Sequence, residues 1–337
     1  MGGSPSFLPP PQREPSLSHT APCLRAHHAA ACMPSPPAHG FSPKKAIKTG
    51  PNLTYHGGPI LSTKPILDVY ICWYGHFSKP QRRVVLDFFA SLKKASGGGA
   101  DADATAPSVS SWWGTMSLYK DKRGNAVSST VKLAGQMSDR KYSMGKQLKG
   151  ADLETMAARA ANSFASDDPN AIYVLITSEN VMVEDFCESQ CATHGIVKIK
   201  KKAVAFMWVG NSASQCPGQC AWPFALPQFM DYSSATETAL KAPNDVGMDG
   251  VVMNIASILA GAATNPHGNA YYEGNPSVPL EAATACAGIF GPNAYPGAPG
   301  TLLSDSTGSS FNARGANSRR FLLPCLWHPL LRICKPL

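Results

Sequence analysis

At 337 residues, with 44% hydrophobic and 15% charged side chains, the chain carries enough apolar surface for one large or two small globular units. The formal net charge of +8 sits at the ends: residues 1–50 hold five basic side chains and one acid, residues 306–337 hold five and none, and residues 51–305 come to −1. A nucleic-acid binder concentrates basic charge on a folded face, so this distribution argues against such a partner. No unbroken apolar run reaches the length of about 18 residues that marks a membrane span.

Residues 1–50 contain ten prolines and four of the nine histidines (His19, His27, His28, His39), a composition that predicts a disordered tail. Neither those histidines nor Cys23 and Cys32 are pre-organised as metal ligands. Met1-Gly2-Gly3-Ser4-Pro5-Ser6 fits the loose N-myristoylation pattern, whereas the stretch shows no secretory h-region of about 7–15 apolar residues. Order is expected from Tyr55 onward. Pro65 to Gly75, dense in β-branched and aromatic residues, predicts a buried strand. A helix should follow, capped by Ser78, with Pro80 in its first turn and Val84, Val85, Phe88, Phe89 and Leu92 on one face. Gly97-Gly98-Gly99 with Asp101 and Asp103 reads as a surface loop.

Val109 to Tyr119 predicts a short helix whose Trp112-Trp113 is core packing, with an exposed sugar-stacking platform as the alternative. Val131 to Leu133 predicts a short strand, Asp152 opens a helix with Leu153, Met156, Ala157, Ala160 and Phe164 at helical spacing, and Ile172 to Thr177 predicts a strand. The run Lys198 to Lys202 reads as a loop or hairpin tip rather than a phosphate site, followed by a strand over Ala203–Gly210. Residues 245–263 predict a helix with Met248, Val252, Ile255, Leu259 and Ala263 inward and Asp249 near its positive end. Beyond Pro266 an ordered, irregular wrap is expected. The element order predicts an α/β or α+β fold: a single layered domain with a mixed sheet flanked by helices.

The chain has no Gly-x-Ser-x-Gly elbow, phosphate-binding loop, dinucleotide fingerprint or His-Glu-x-x-His. Cysteine is the informative residue. Cys187, Cys191, Cys216 and Cys220 have the spacing C-x3-C-x24-C-x3-C, which would hold a tetrahedral zinc in a reducing compartment. With Cys286 and Cys334 they make an even set for three disulfides in an oxidising one, with 15 possible pairings. Zinc ribbons mostly use a two-residue spacing, and Pro217 and Trp222-Pro223 suggest stapled loops, so disulfides are the favoured reading. Cys23, Cys32, Cys72 and Cys325 are surplus, with Cys72 read as packing. Asn52-Leu53-Thr54 is a glycosylation acceptor at the junction of tail and body.

Tyr55-His56-Gly57-Gly58-Pro59, Trp73-Tyr74-Gly75, Tyr173-Val174-Leu175-Ile176-Thr177-Ser178, Phe186-Cys187, Gln215-Cys216-Pro217-Gly218-Gln219-Cys220-Ala221-Trp222-Pro223-Phe224, Thr264-Asn265-Pro266, Cys286-Ala287-Gly288-Ile289-Phe290-Gly291 and Ser318-Arg319-Arg320-Phe321 occur in order along most of the chain. In these the chain resembles the plant phosphate-induced, EXORDIUM-like family. The resemblance implies an apoplastic protein tied to brassinosteroid-responsive growth and cell expansion, non-catalytic, without cofactor, acting through a cell-wall glycan or apoplastic protein. It divides the chain into a tail (1–50), a family domain (51–324) and a divergent C-terminal tail (325–337). A fainter resemblance concerns the helix before Thr264, similar to one carrying a zincin-type His-Glu-x-x-Glu in bacterial proteins akin to the family. Here those places fall on Ser257, Ile258 and Gly261, none of which binds zinc, which implies a degenerate zincin-like scaffold. The alternatives are a cryptic metal-dependent hydrolase built on His194, His267 or Glu281, and an intracellular zinc-binding module.

Overall fold

A computed structural model of the chain describes residues 51–93, 106–166, 168–199, 201–227 and 238–337. The expectations for the tail 1–50 and for the loop at 97–103 lie outside these residues. The framework is a five-stranded sheet made of β1 (Ile66–Tyr74), β2 (Thr130–Asp139), β3 (Ala171–Thr177), β4 (Ala192–Ile199) and β5 (Lys202–Gly210). The spatial order is β2-β1-β3-β5-β4, with β4 antiparallel to β5 and every other neighbouring pair parallel. This is a mixed sheet in a layered α/β domain, as expected from the element order.

Side-chain alternation along the strands divides the interior into two layers, because successive residues of a strand point to opposite faces. Leu67, Val69, Ile71 and Trp73 of β1 join Ile172, Val174 and Ile176 of β3 and Met207 of β5 in one core. Cys72 and Tyr74 join Tyr173, Leu175, Phe206 and Trp208 in the other. Helices α1 (Lys79–Ser91) and α4 (Val246–Thr264) pack in the first layer, and α3 (Gly150–Ser163) in the second.

Local chemistry sets each helix start. Ser78 Oγ accepts from Gln81 N at 3.2 Å while Gln81 Oε1 accepts from Ser78 N at 2.8 Å, a reciprocal cap that fixes the first turn of α1. The third helix begins two residues before Asp152, whose Oδ2 reaches back to accept from Lys149 N at 2.7 Å. The stretch from Val109 divides into α2 (Val109–Gly114) and a 3-10 turn to Leu118. Trp112 and Trp113 are both buried, and their indole N–H groups donate to Pro324 O at 2.8 Å and Ser128 O at 3.1 Å. The tryptophan pair is therefore core, and a sugar-stacking platform there is excluded.

The sheet differs from the sequence expectation in two strands. The short strand at Val131 extends to ten residues, because Thr130–Asp139 pairs with β1 along its length, with a bulge at Ala134. The edge strand β4 was not expected: His194 and Gly195 interrupt its β-branched run, and pairing with β5 along the full length imposes the extended form. Ile199 stands opposite Lys202 as the last pair of this hairpin.

By length and a mean hydropathy of 1.5, α4 alone among the described residues qualifies as a membrane span. It is nonetheless a core helix, with 16 of its 19 residues buried on all sides. Beyond Pro266 the chain wraps the body in two- and three-residue bridges, and Leu326–His328 pairs with Ile333–Lys335 at the C-terminus.

Candidate functional site

Three disulfides pin the loops around the sheet: Cys187–Cys216 and Cys191–Cys220, each spanning 29 residues, and Cys286–Cys334, spanning 48. The first two join the segment entering β4 to the turn Pro217–Cys220, and that turn packs on α4 through Gly250. The segment entering the edge strand is thereby tied, through that turn, to the central helix. Cys72 and Cys325 are free thiols, each pushed up to about 12 by burial.

A cleft of 610 Å³ opens beside β4. Thr193, His194, Gly195 and Ile196 all line it, together with Glu154 of α3 and Ile258 of α4. Four consecutive strand residues cannot face one cavity with their side chains, since these alternate. The cleft therefore runs along the edge of the sheet, with α3 and α4 as walls from opposite faces.

At its base His194 Nε2 lies 2.8 Å from Glu281 Oε2 and 3.0 Å from Oε1. Asn265 Nδ2 donates to Glu281 Oε1 at 2.7 Å, and Asn265 Oδ1 accepts from Ala270 N at 2.7 Å. Glu281 N donates to Thr284 Oγ1 at 2.7 Å, which fixes the turn that delivers the carboxylate. Burial opposes the charged form of His194, but the carboxylate's charge and hydrogen bond outweigh it and leave the imidazole above its ordinary value. The pair is an internally compensated ion pair, oriented by an amide.

Gly261 makes room for it. A Cβ there would come 2.3 Å from Glu281 Oε2 and 3.3 Å from His194 Nε2. Gly261 thus faces this site, and the Glu281–His194 pair occupies the space that a side chain there would need. Ile258 lines the cleft as an apolar wall. His267 lies on the same cleft, exposed, with partial burial pulling it below its ordinary value. The three residues named for a hydrolase thus share one cavity, while no group of three or more metal-binding side chains forms among the described residues. Asn52, the glycosylation acceptor, is exposed.

Asn265 and the edge strand escaped sequence reasoning. Thr264-Asn265-Pro266 marks the helix end, yet only the return of the chain at Ala270 and Glu281 gives its amide two partners.

The conserved-region model of phosphate-induced protein 1 matches residues 53–337. Protein EXORDIUM of Arabidopsis thaliana is 45% identical over 292 residues, covering 84% of this chain and 88% of its own length. Protein PHOSPHATE-INDUCED 1 of Nicotiana tabacum is 41% identical over 85% of this chain and 88% of its own. Protein EXORDIUM-like 2 of Arabidopsis thaliana is 41% identical over 88% and 94%. No solved structure matches the chain.

Proposed function

The chain belongs to the phosphate-induced protein 1 family, and on that footing we propose that it is a non-catalytic, extracellular plant protein. In this reading it acts in brassinosteroid-responsive growth and cell expansion by binding a cell-wall glycan or an apoplastic protein. The observation that carries it is the match to EXORDIUM and PHOSPHATE-INDUCED 1 along nearly all of the described residues. Three disulfides support an oxidising compartment, where such bonds persist. In that compartment the exposed Asn52 carries a glycan.

The test is a non-reducing mass-spectrometric peptide map of protein isolated from plant tissue, with metal content measured on the same sample. The expected map links Cys187 to Cys216, Cys191 to Cys220 and Cys286 to Cys334, with a glycan at Asn52 and no stoichiometric zinc. Six free thiols would overturn the extracellular reading. They would also restore the intracellular zinc module, which needs as thiolates the four cysteines that form the first two disulfides.

A metal-dependent hydrolase is the second reading, favoured by His194, His267 and Glu281 sharing one cleft. Stoichiometric zinc, with peptide cleavage abolished by a chelator, would install it in place of the first.

A further inference from the structure

A second cavity, of 320 Å³, lies where α1 meets the turn at Asn317–Arg320, and it shares no lining residue with the cleft beside β4. Arg83 of α1 lines it together with Arg319 and Arg320, and Asp87 is the one carboxylate on its lining among the described residues. Part of the basic surplus of residues 306–337 is thereby gathered with Arg83 into one folded site. Asp87 is buried and shared: its Oδ1 lies 2.8 Å from Arg83 Nε, and its Oδ2 accepts from Arg319 Nε at 3.0 Å. Asp305 pairs with Arg320 at 2.6 Å from outside the lining. Three guanidinium groups thus meet two carboxylates, and one positive charge is left over.

The donors divide by role. Arg319 is a brace, with Nε on Asp87 and Nη1 donating to Asn244 Oδ1 at 2.6 Å. Among the described residues, Arg83 Nη1 and Nη2 and Arg320 Nε and Nη2 have no acceptor. Nε and Nη2 form one edge of a guanidinium, the geometry that takes a carboxylate through two parallel hydrogen bonds. Arg320 is already held by Asp305 and by the ring of Phe311, whose centroid is 5.4 Å from the guanidinium carbon, so little of its freedom is left to lose on binding. Asn317 Oδ1 and Ser318 Oγ, also on the lining, have no partner among the described residues. Asn317 and Ser318 both hold left-handed backbone, with φ of 55° and 58°, a conformation uncommon outside glycine and one that collects at binding sites. No aromatic side chain lines the cavity among the described residues, so recognition falls to charge and hydrogen bonds.

We propose that this cavity binds an acidic glycan, taking the carboxylate of one uronic acid ring on Arg320 and Arg83 and the ring's hydroxyl groups on Asn317 and Ser318. The volume stands at the lower end of the range for ligand sites, about 300–1,000 Å³, which suits a single ring rather than a longer stretch of chain. Charge supplies the selectivity, because a neutral sugar leaves the surplus guanidinium without a counter-ion. The proposal rests on the partner-binding reading above and narrows its wall glycan to an acidic one.

The test is isothermal titration calorimetry on the full chain with its disulfides intact. The probe is trigalacturonate, and its fully methyl-esterified form is the uncharged control. The acid form is expected to bind, and the ester to bind weaker by on the order of tenfold or more. Arg83→Gln, at an exposed position, should weaken the acid form by about fivefold or more with an unchanged thermal melt. Arg140→Gln makes the same change of charge at an exposed residue off the lining, and should leave the affinity within about twofold. Equal affinity for acid and ester, or equal loss in the two variants, overturns the proposal. Tighter binding of inorganic phosphate than of trigalacturonate assigns the cavity to a free anion and overturns the glycan. Binding of cellohexaose without any binding of trigalacturonate also overturns the proposal, yet leaves the partner-binding reading in place. Six free thiols in the peptide map would overturn the extracellular reading while a measured uronate affinity still stood, so the two fail separately.

Discussion

His194 and Glu281 stand 87 residues apart in the chain and 2.8 Å apart in the fold, with the backbone of α4 at Gly261 beneath them. The contact requires a glycine, since any side chain at 261 would collide with the carboxylate. Gly261→Ala is therefore expected to lower stability by about 1–3 kcal/mol, the usual cost of overpacking a filled interior. Urea denaturation measures it. In the double variant Gly261→Ala with Glu281→Ala the two losses should not add, because the second change removes the atom that the first one strikes. Strict additivity would show that the pair is not where the glycine permits it.

Stability should fall as pH rises from mildly acidic to mildly alkaline. His194 holds its proton above the ordinary value of 6.5, so its contribution is complete below 6.5 and is lost as pH climbs through the higher native value. Asp249 is pushed up to about 7 by burial, against the opposing donors of Asn244 and Asp245. An unfolded carboxyl ionises near 3.8, so this contribution is present below 3.8 and is lost between there and about 7. Both signs agree. Hydrogen bonds from Asn125 and Thr307 hold Asp121 and Asp305 at about 2, and those contributions are lost only in strong acid, below 3.8. Melting temperatures measured across this range should show Asp249→Asn flattening the lower part of the decline and His194→Gln the upper part. A melting temperature that rises with pH in this range would contradict the assignment.

The bond from Cys286 to Cys334 closes the longest of the three loops and holds the C-terminal hairpin, with its buried Trp327, on the body. Cys286→Ser with Cys334→Ser should cost about 2–5 kcal/mol in guanidinium unfolding. Residues 325–337 should then become the first site of limited proteolysis.

Asp87 joins α1 to the turn at Asn317–Arg319. Its carboxylate accepts from Asn317 Nδ2 at 2.7 Å and Arg319 Nε at 3.0 Å, and Arg319 Nη1 continues to Asn244 Oδ1 at 2.6 Å. Asp87→Ala should cost about 3 kcal/mol, because it strands a guanidinium that is only partly solvated. Arg83 pairs with the same carboxylate at 2.8 Å but from an exposed position, and Arg83→Ala should cost under about 1 kcal/mol. Equal losses in thermal unfolding would refute this division.

What the sequence by itself determined is the set of features decided within one or two turns of chain. The cap at Ser78, the apolar face Val84 to Leu92 and the β-branched runs of β1 and β3 depend on neighbours close in sequence, and they stand in the structure where the residues placed them. The family match was legible in the same way, in short motifs kept in order. Tertiary structure decided everything that depends on a partner far along the chain. The edge strand β4 forms because β5 lies beside it, despite His194 and Gly195 in its middle. The disulfide pairing was one of 15 from composition, and the fold selects it by bringing the segment before β4 against the turn at Pro217. Asn265, Glu281 and His194 carry no motif that links them. Their meeting follows from the packing of α4 on the sheet and the return of the chain at Glu281, and it gives a buried carboxylate the hydrogen-bond partners that burial demands.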